Sequence, residues 1–272
     1  MTREVLATYL IKRIDAERDS LINQFTSTQA GIGFFYLDNL LPESIALQLY
    51  HAFPEQDKMT LKKSMKEDKY VGAQMNVYDA VLEEAIFAFQ DVRVVNRIGD
   101  IFGLSGIQPD ESLYAGGLSS MQKGQFLNPH LDNSHDKDRK LWRVLNLLYY
   151  VSPGWKLEYG GNLELWPAGL KSKPVTIESR FNRLVVMATH GSSLHGVTPV
   201  GHEGARHCIS NYYFAERPLK ESDEFHVTSF RARPGEYIKD AVLKTDTWLR
   251  MRVRSIFKKG IVRNPHVYKK EE

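Results

Sequence analysis

A single cysteine, Cys208, is all the thiol in 272 residues, so an intrachain disulfide framework is excluded and a reducing compartment is expected. Long hydrophobic runs are also missing: no stretch approaches the roughly 20 apolar residues that span a bilayer. The first thirty residues are polar and charged and lack the apolar centre of a secretory signal. Neither internal repeats nor low-complexity segments occur, which excludes solenoid and linker-dominated architectures. What is present is 42% apolar residues, enough to fill the core of one large domain or of a domain with an appendage. Charge is unevenly spread, because residues 248–272 carry eight Lys/Arg and two acids while the whole chain is only +3. An acidic body with a basic end follows. The expected location is cytoplasmic, with any membrane contact peripheral and on the inner face.

Residues 3–25 place apolar side chains at mostly helical spacings, which predicts an amphipathic helix. "GFFYLDNLLPESIALQLYHAF" reads as a strand, a turn at Asp38-Asn39 and a helix opened by Pro42. Residues 55–80 show no clear period and read as a long loop of the kind that serves as a lid. "VVNRIGDIFGLSG" suggests a helix ended by glycine. From 112 to 217 short β-rich runs alternate with Gly, Pro and Asn punctuation, the pattern of an antiparallel sandwich or barrel. Gly160-Gly161 is read as a hairpin turn.

"NPHLDNSHDKDRK" carries His130 and Asp132 two residues apart. On a strand both face the same side, as two ligands of one metal must. An isolated pair of this kind is usually a solvated loop, so a third ligand is required. His195, at the end of the β-rich run in "RLVVMATHGSSLHGVTP", supplies one, and His190 competes for the place. Two imidazoles and a carboxylate form the facial set that leaves three positions open on an octahedral Fe(II). Zinc would prefer a tetrahedral site with one open position.

The segments "MQKGQFLNPHLD", "RVLNLLYYVSPGW", "YGGNLELW" and "HGVTPVGHEGARHCIS" resemble, in that order, the 2-oxoglutarate/Fe(II)-dependent dioxygenases of the prolyl 4-hydroxylase-like group, over about residues 110–216. The resemblance implies an α+β fold with a double-stranded β-helix (jelly-roll, cupin-like) core. It implies helical support over 1–105, an oxygenase domain over 1–240 with its β core at about 110–217, and a basic amphipathic tail over 241–272. It makes His130, Asp132 and His195 the catalytic metal ligands, with Fe(II), 2-oxoglutarate and O2 as cofactors and ascorbate as an accessory reductant. Arg206, eleven residues after His195, matches the basic residue that pairs with the distal carboxylate of 2-oxoglutarate. Three positions depart from the pattern. Met121 stands where relatives carry a tyrosine, Asn146 where a threonine is frequent, and Cys208 where a serine is common. Asn146 is expected to bind the cosubstrate and to compensate for Met121, whose thioether donates no hydrogen bond. The retained Asp132 argues against halide transfer and for hydroxylation.

In "DTWLRMRVRSIFKKG", Leu249, Val253, Ile256 and Phe257 fall on one helical face, edged by Arg250, Arg254 and Lys258. Such a helix either lies on an anionic membrane surface, through residues 248–270, or packs on the body. Base-stacking aromatics are not interleaved with the charges, so no nucleic acid is expected. An oxygenase core with a basic tail resembles the 3-hydroxylases of 3-deoxy-manno-octulosonic acid (Kdo) in lipopolysaccharide. The substrate expected first is therefore a membrane-associated saccharide-lipid. A prolyl residue of a protein or peptide, or a free amino acid or small metabolite, comes second, and a non-catalytic cupin-like binding module is the reading from another class. Trp142, Trp155 and Trp166 are expected as core or rim aromatics; "DNSHDKDRK" reads as a solvated loop whose His135 and Asp136 lie close enough to the site to meet substrate, and Arg143 either orients a neighbouring strand or meets an anionic substrate.

Overall fold

The computed structural model describes residues 1–257 and 267–269. Helices α1 (Arg3–Ala16) and α2 (Arg18–Thr28) open the chain, followed by β1 (Phe34–Asp38) and α3 (Glu43–His51). A hairpin of β2 (Thr60–Lys63) and β3 (Glu67–Gly72) leads to α4 (Ala80–Ala88) and α5 (Val92–Ile101). The β region comprises β4 (Gln108–Pro109), β5 (Gly117–Gln122), β6 (Phe126–Leu131), β7 (Trp142–Tyr150), β8 (Leu163–Leu165), β9 (Val175–Ile177), β10 (Arg183–Ala188), β11 (His195–Val197), β12 (Ala205–Ala215) and β13 (Ser229–Phe230). Helix α6 (Tyr237–Ile256) follows.

All the strands join one antiparallel sheet in the order β1-β10-β7-β12-β5-β3-β6-β11-β8-β9, with β13 on β6, β2 on β3 and β4 on β12. The sheet curls around a cavity of about 640 Å³ to which β3, β5, β6, β7, β11 and β12 all contribute side chains. This is the antiparallel β core with helical support that the strand pattern predicts, in the jelly-roll form that the resemblance implies.

Strand β7 shows why the sequence folds this way. Its residues Leu145, Leu147 and Tyr149 join the core formed with α1, α4 and α5, through Leu6, Leu10, Leu82, Ile86, Val94 and Ile98. The alternate residues Asn146, Leu148 and Tyr150 face the other way, towards the cavity and the inner cluster around Leu163, Val185 and Met187. A strand covered on both faces reads as a nearly continuous apolar run, as "VLNLLYYV" does. Burying each large side chain of this kind contributes about 2 kcal/mol.

Three expectations need correction. Residues 3–25 are not one helix, because Glu17 (φ −113°, ψ 10°) interrupts it. Leu6, Leu10, Ile14 and Leu21 are buried, while Val5 and Tyr9 stay exposed. The stretch 55–80 is not a long loop but carries the β2–β3 hairpin, and β3 sits mid-sheet between β5 and β6. Its period was hidden because Glu67 and Lys69 alternate with Asp68 and Tyr70, and the side facing the cavity is charged rather than apolar. Gly160-Gly161 is not a two-residue hairpin: Gly160 (φ 72°) bridges Val200, and the Gly161 carbonyl serves as a hydrogen-bond acceptor for Arg206 and Ser179.

Candidate active site

Strand β6 ends in Pro129, His130 and Leu131, and β11 begins with His195 directly opposite His130. Antiparallel pairing thus brings together two histidines that are distant in sequence, with their ring centroids 4.3 Å apart. On the other side of β6, Phe230 of β13 pairs with His130 and stacks on its ring at 4.9 Å. Asp132 follows just past the strand. His130 Nε2 lies 3.5 Å from Asp132 Oδ1 and His195 Nε2 lies 3.7 Å from Asp132 Oδ2. One ligand atom from each of the three residues lies within 4.8 Å of the others, and all three residues are buried.

Gly196 makes this approach feasible. A Cβ there would stand 2.9 Å from the Leu127 carbonyl oxygen and 3.0 Å from the Pro129 nitrogen, so any side chain forces β11 off β6. Gly196→Ala is expected to weaken Mn(II) binding about tenfold or more in a calorimetric titration, the scale on which ligand-orienting contacts matter. An unchanged affinity would mean that His195 does not depend on this contact.

The histidines are oriented for a cation. His130 Nδ1 lies 3.0 Å from the Asn128 carbonyl and His195 Nδ1 lies 2.9 Å from the Ser193 carbonyl. A carbonyl only accepts, so each Nδ1 carries the proton and each Nε2 turns a lone pair to the centre. Burial alone would raise the Asp132 carboxyl, but the neighbouring His195 and His130 and the charge of Arg143 overcome it and hold Asp132 ionised well below the usual carboxylate range. Burial, aided by His130, pushes His195 down to about 4, so its imidazole is neutral near pH 7. Two imidazoles and one carboxylate are the donor set that suits a divalent first-row cation with further positions open.

Arg206 projects from β12, only 4% exposed, with Met121 as its register partner on β5. Its Nε donates to the Gly161 carbonyl at 3.0 Å, while its Nη1 is buried without a partner. Tyr150, whose Cα pairs with Cys208, has its ring centroid 5.3 Å from the Arg206 guanidinium and a hydroxyl likewise without a partner. An anion seated there would satisfy both groups. Met121 and Cys208 are buried and line the same cavity. The Asn146 amide nitrogen lies 3.4 Å from Asp132 Oδ2 and its Oδ1 has no partner, so Asn146 faces the cavity beside the carboxylate.

Arg143, also buried, holds Nη1 3.7 Å from Asp132 Oδ1 and lies 4.0 Å above the Tyr212 ring. Its Nε and Nη2 are unpartnered. His135 lines the cavity, held down at about 3 first by burial and then by Arg143, Arg139 and Arg254. Asp136 does not face the cavity; it closes the following turn by accepting from the amides of Lys140 and Leu141. His190 stands apart from the three ligands, with Nε2 3.2 Å from the Ile32 carbonyl and Nδ1 accepting from the Ser192 amide. Trp166 and Trp155 are buried and Trp142 is half-buried.

The position of Tyr150 and the placement of the expected C-terminal helix were not read from the sequence. Tyr150 shares a face of β7 with Asn146, so the period-2 rule alone turns it to the inner side of the strand, where its ring lies 5.3 Å from the Arg206 guanidinium. Helix α6 lines the mouth of the cavity with Asp246, Leu249, Arg250, Val253 and Arg254. It therefore neither stands clear of the body nor buries its apolar face, since Leu249, Ile256 and Phe257 are more than half exposed. Lys258 and the rest of 258–266 lie outside the described residues. Beyond them, Tyr268 packs on Phe87 and donates to Glu83 at 2.7 Å. Among the described residues no helix is long and apolar enough to cross a membrane.

Comparison with known proteins agrees with this geometry. No curated protein matches the chain as a sequence. Among solved structures, a prolyl-4-hydroxylase of Pseudomonas putida aligns with a TM-score of 0.54 at 20% identity over 72% of this chain and 100% of its own. A prolyl 4-hydroxylase of Phytophthora capsici aligns at 0.54 and 17% identity over 93% of this chain and 80% of its own. HygX of Streptomyces hygroscopicus, solved with nickel, 2-oxoglutarate and hygromycin B, aligns at 0.50 and 13% identity over 75% and 90%. At these identities the likeness is one of fold. The family model of the 2OG-Fe(II) oxygenase superfamily matches residues 116–214, the segment that contains His130, Asp132, His195 and Arg206. Over those residues the chain is similar to the 2OG-Fe(II) oxygenase superfamily, whose enzymes work with Fe(II), 2-oxoglutarate and O2.

Proposed function

We propose that this oxygenase hydroxylates an unactivated C–H bond of a membrane-associated saccharide-lipid, such as the Kdo sugar of lipopolysaccharide, with His130, Asp132 and His195 as its iron ligands. The observation that carries the catalytic reading is the convergence of these three buried side chains in one cavity with the unsatisfied guanidinium of Arg206. Fe(II) bound there supplies the oxidising chemistry, coupling the conversion of 2-oxoglutarate and O2 to succinate and CO2 to oxidation of a substrate C–H bond.

The protein positions and protects. The carbonyls of Asn128 and Ser193 hold the two imidazoles in the tautomer that presents Nε2. Arg206 pairs with the distal carboxylate of the cosubstrate, and Tyr150 donates its hydroxyl to the same group in place of the tyrosine that Met121 replaces. Asn146 adds a donor and an acceptor beside Asp132. Met121, Leu163 and Val197 line the cavity with apolar surface and limit access of water to the reacting centre.

The saccharide-lipid reading is supported by α6. Its exposed side chains Ile238, Val242, Leu249, Val253 and Ile256 fall within one narrow stripe at 100° per residue, beside the cavity mouth and next to Arg250 and Arg254. An apolar stripe edged with arginines suits an anionic lipid surface, with the cavity opening towards it. A prolyl substrate is the second reading, favoured by the prolyl hydroxylases among the solved structures of like fold.

Succinate release with Fe(II) and 2-oxoglutarate separates the two. Detergent-dispersed Kdo-terminated glycolipid is expected to stimulate it at least tenfold over detergent alone, and a proline-rich peptide is not. Stimulation by the peptide alone would transfer the substrate assignment to the second reading.

A further inference from the structure

The cavity is more cationic than the catalytic residues require. Leaving aside the three metal ligands and Arg206, its ionised side chains are Lys62, Lys69, Arg143, Arg250 and Arg254 against Glu67 and Asp246. Both acids are already engaged. Glu67 lies 3.1 Å from Lys69 Nζ, and Asp246 binds Lys66 at 2.7 Å and Arg250 at 2.9 Å. The Lys66–Asp246–Arg250 chain also joins the β2–β3 hairpin to α6, so the two elements form adjoining walls of one mouth.

Within that mouth Lys62 and Lys69 sit directly across from each other on β2 and β3. Like charges in directly opposed positions destabilise a hairpin. Burial, and then Lys69, lowers the Lys62 ammonium from its ordinary value, only partly offset by Glu67. Deeper in, two N–H groups of the buried Arg143 have no partner. Cations gathered at a local cost, with unspent donors behind them, are the complement of an anion that the apo protein does not provide.

We propose that Lys62 and Lys69 of the hairpin and Arg250 of α6 form a substrate subsite for an anionic oxygen group, a phosphate or carboxylate, at the mouth of the cavity. This inference rests on the oxygenase reading and narrows its substrate class to molecules that carry negative charge near the C–H bond to be oxidised. Lys62 meets the group as a mobile point charge. Arg250, already fixed by Asp246, offers its remaining N–H groups from the adjoining wall.

The test is calorimetric binding to the full chain loaded with Mn(II) and 2-oxoglutarate, in two matched sets of probes. Glucose 6-phosphate and glucuronate are compared with glucose, and N-acetyl-L-proline with N-acetyl-L-prolinamide. The charged member of at least one set is expected to bind tenfold or more tightly than its neutral partner, and the set in which this occurs tells a sugar source from a peptide source. Lys62→Gln and Arg250→Gln should each erase most of that preference, and Lys62→Arg should restore it, which separates loss of charge from loss of fold. Absence of a preference in both sets, or a preference that survives both glutamine variants, overturns the subsite. Affinity for 2-oxoglutarate is read in the same titrations: if it fails, the oxygenase reading falls as well, whereas intact cosubstrate binding without charge preference removes the subsite alone.

Discussion

Asp132→Ala is expected to abolish 2-oxoglutarate-dependent succinate release, by about a thousandfold or more, equivalent to about 4 kcal/mol of barrier. Asp132 is the carboxylate of the three-residue cluster, and His130 Nε2, His195 Nε2 and Arg143 Nη1 all lie within 3.7 Å of its oxygens. Without it the cluster offers a divalent cation two imidazoles and no carboxylate, with a buried arginine close by. Asp132→Asn keeps the shape and removes the charge, so an equal loss in both variants assigns the effect to charge rather than packing. The same pair separates an enzyme from a cupin-like binding module, because a module would retain binding of its partner. Persistence of succinate release at more than a tenth of the original rate would contradict the role given to Asp132.

Arg206→Gln is expected to weaken 2-oxoglutarate binding about a hundredfold, from the loss of about 3 kcal/mol in hydrogen bonds to a charged group. Arg206→Lys should fall between, at about tenfold, since an ammonium keeps the charge but cannot present the planar fork. Two features of the site make the effect large. The guanidinium is buried, so salt screens it little, and its Nε is anchored on Gly161, which fixes the direction of the remaining N–H groups. Both variants are read by calorimetry and by the KM for 2-oxoglutarate. Equal affinities in all three proteins would move the cosubstrate elsewhere in the cavity.

How far these residues could be read from the sequence depended on what each element has to bury. His130 and Asp132 were legible because a strand's two-residue period puts them on one face, and His195 because it lies close to a β-rich run, although it opens β11 rather than ending that run. Their meeting required only that β6 and β11 pair in register. The β2–β3 hairpin was illegible because its inward face meets a charged cavity: Lys62, Glu67 and Lys69 line it, so the alternation of apolar and polar residues that marks a half-buried strand is absent. The break at Glu17 also escaped a reading based on apolar spacing, which carries across a single non-helical residue. For α6, the amphipathic pattern was evident but its placement was not. Arg250 and Arg254 line the cavity together with Leu249 and Val253, while Ile256 remains exposed. Periodicity states that a helix has two faces and leaves open what each one meets.

Anaerobic calorimetric titration of 2-oxoglutarate into the full chain, with and without Fe(II), bears most directly on the iron and cosubstrate site. Chelation at a shared centre requires the affinity to rise at least tenfold when Fe(II) is present, and the rise to disappear in Asp132→Ala. Equal affinity with and without Fe(II), or a rise that survives Asp132→Ala, would contradict a site in which His130, Asp132 and His195 hold the metal that the cosubstrate binds.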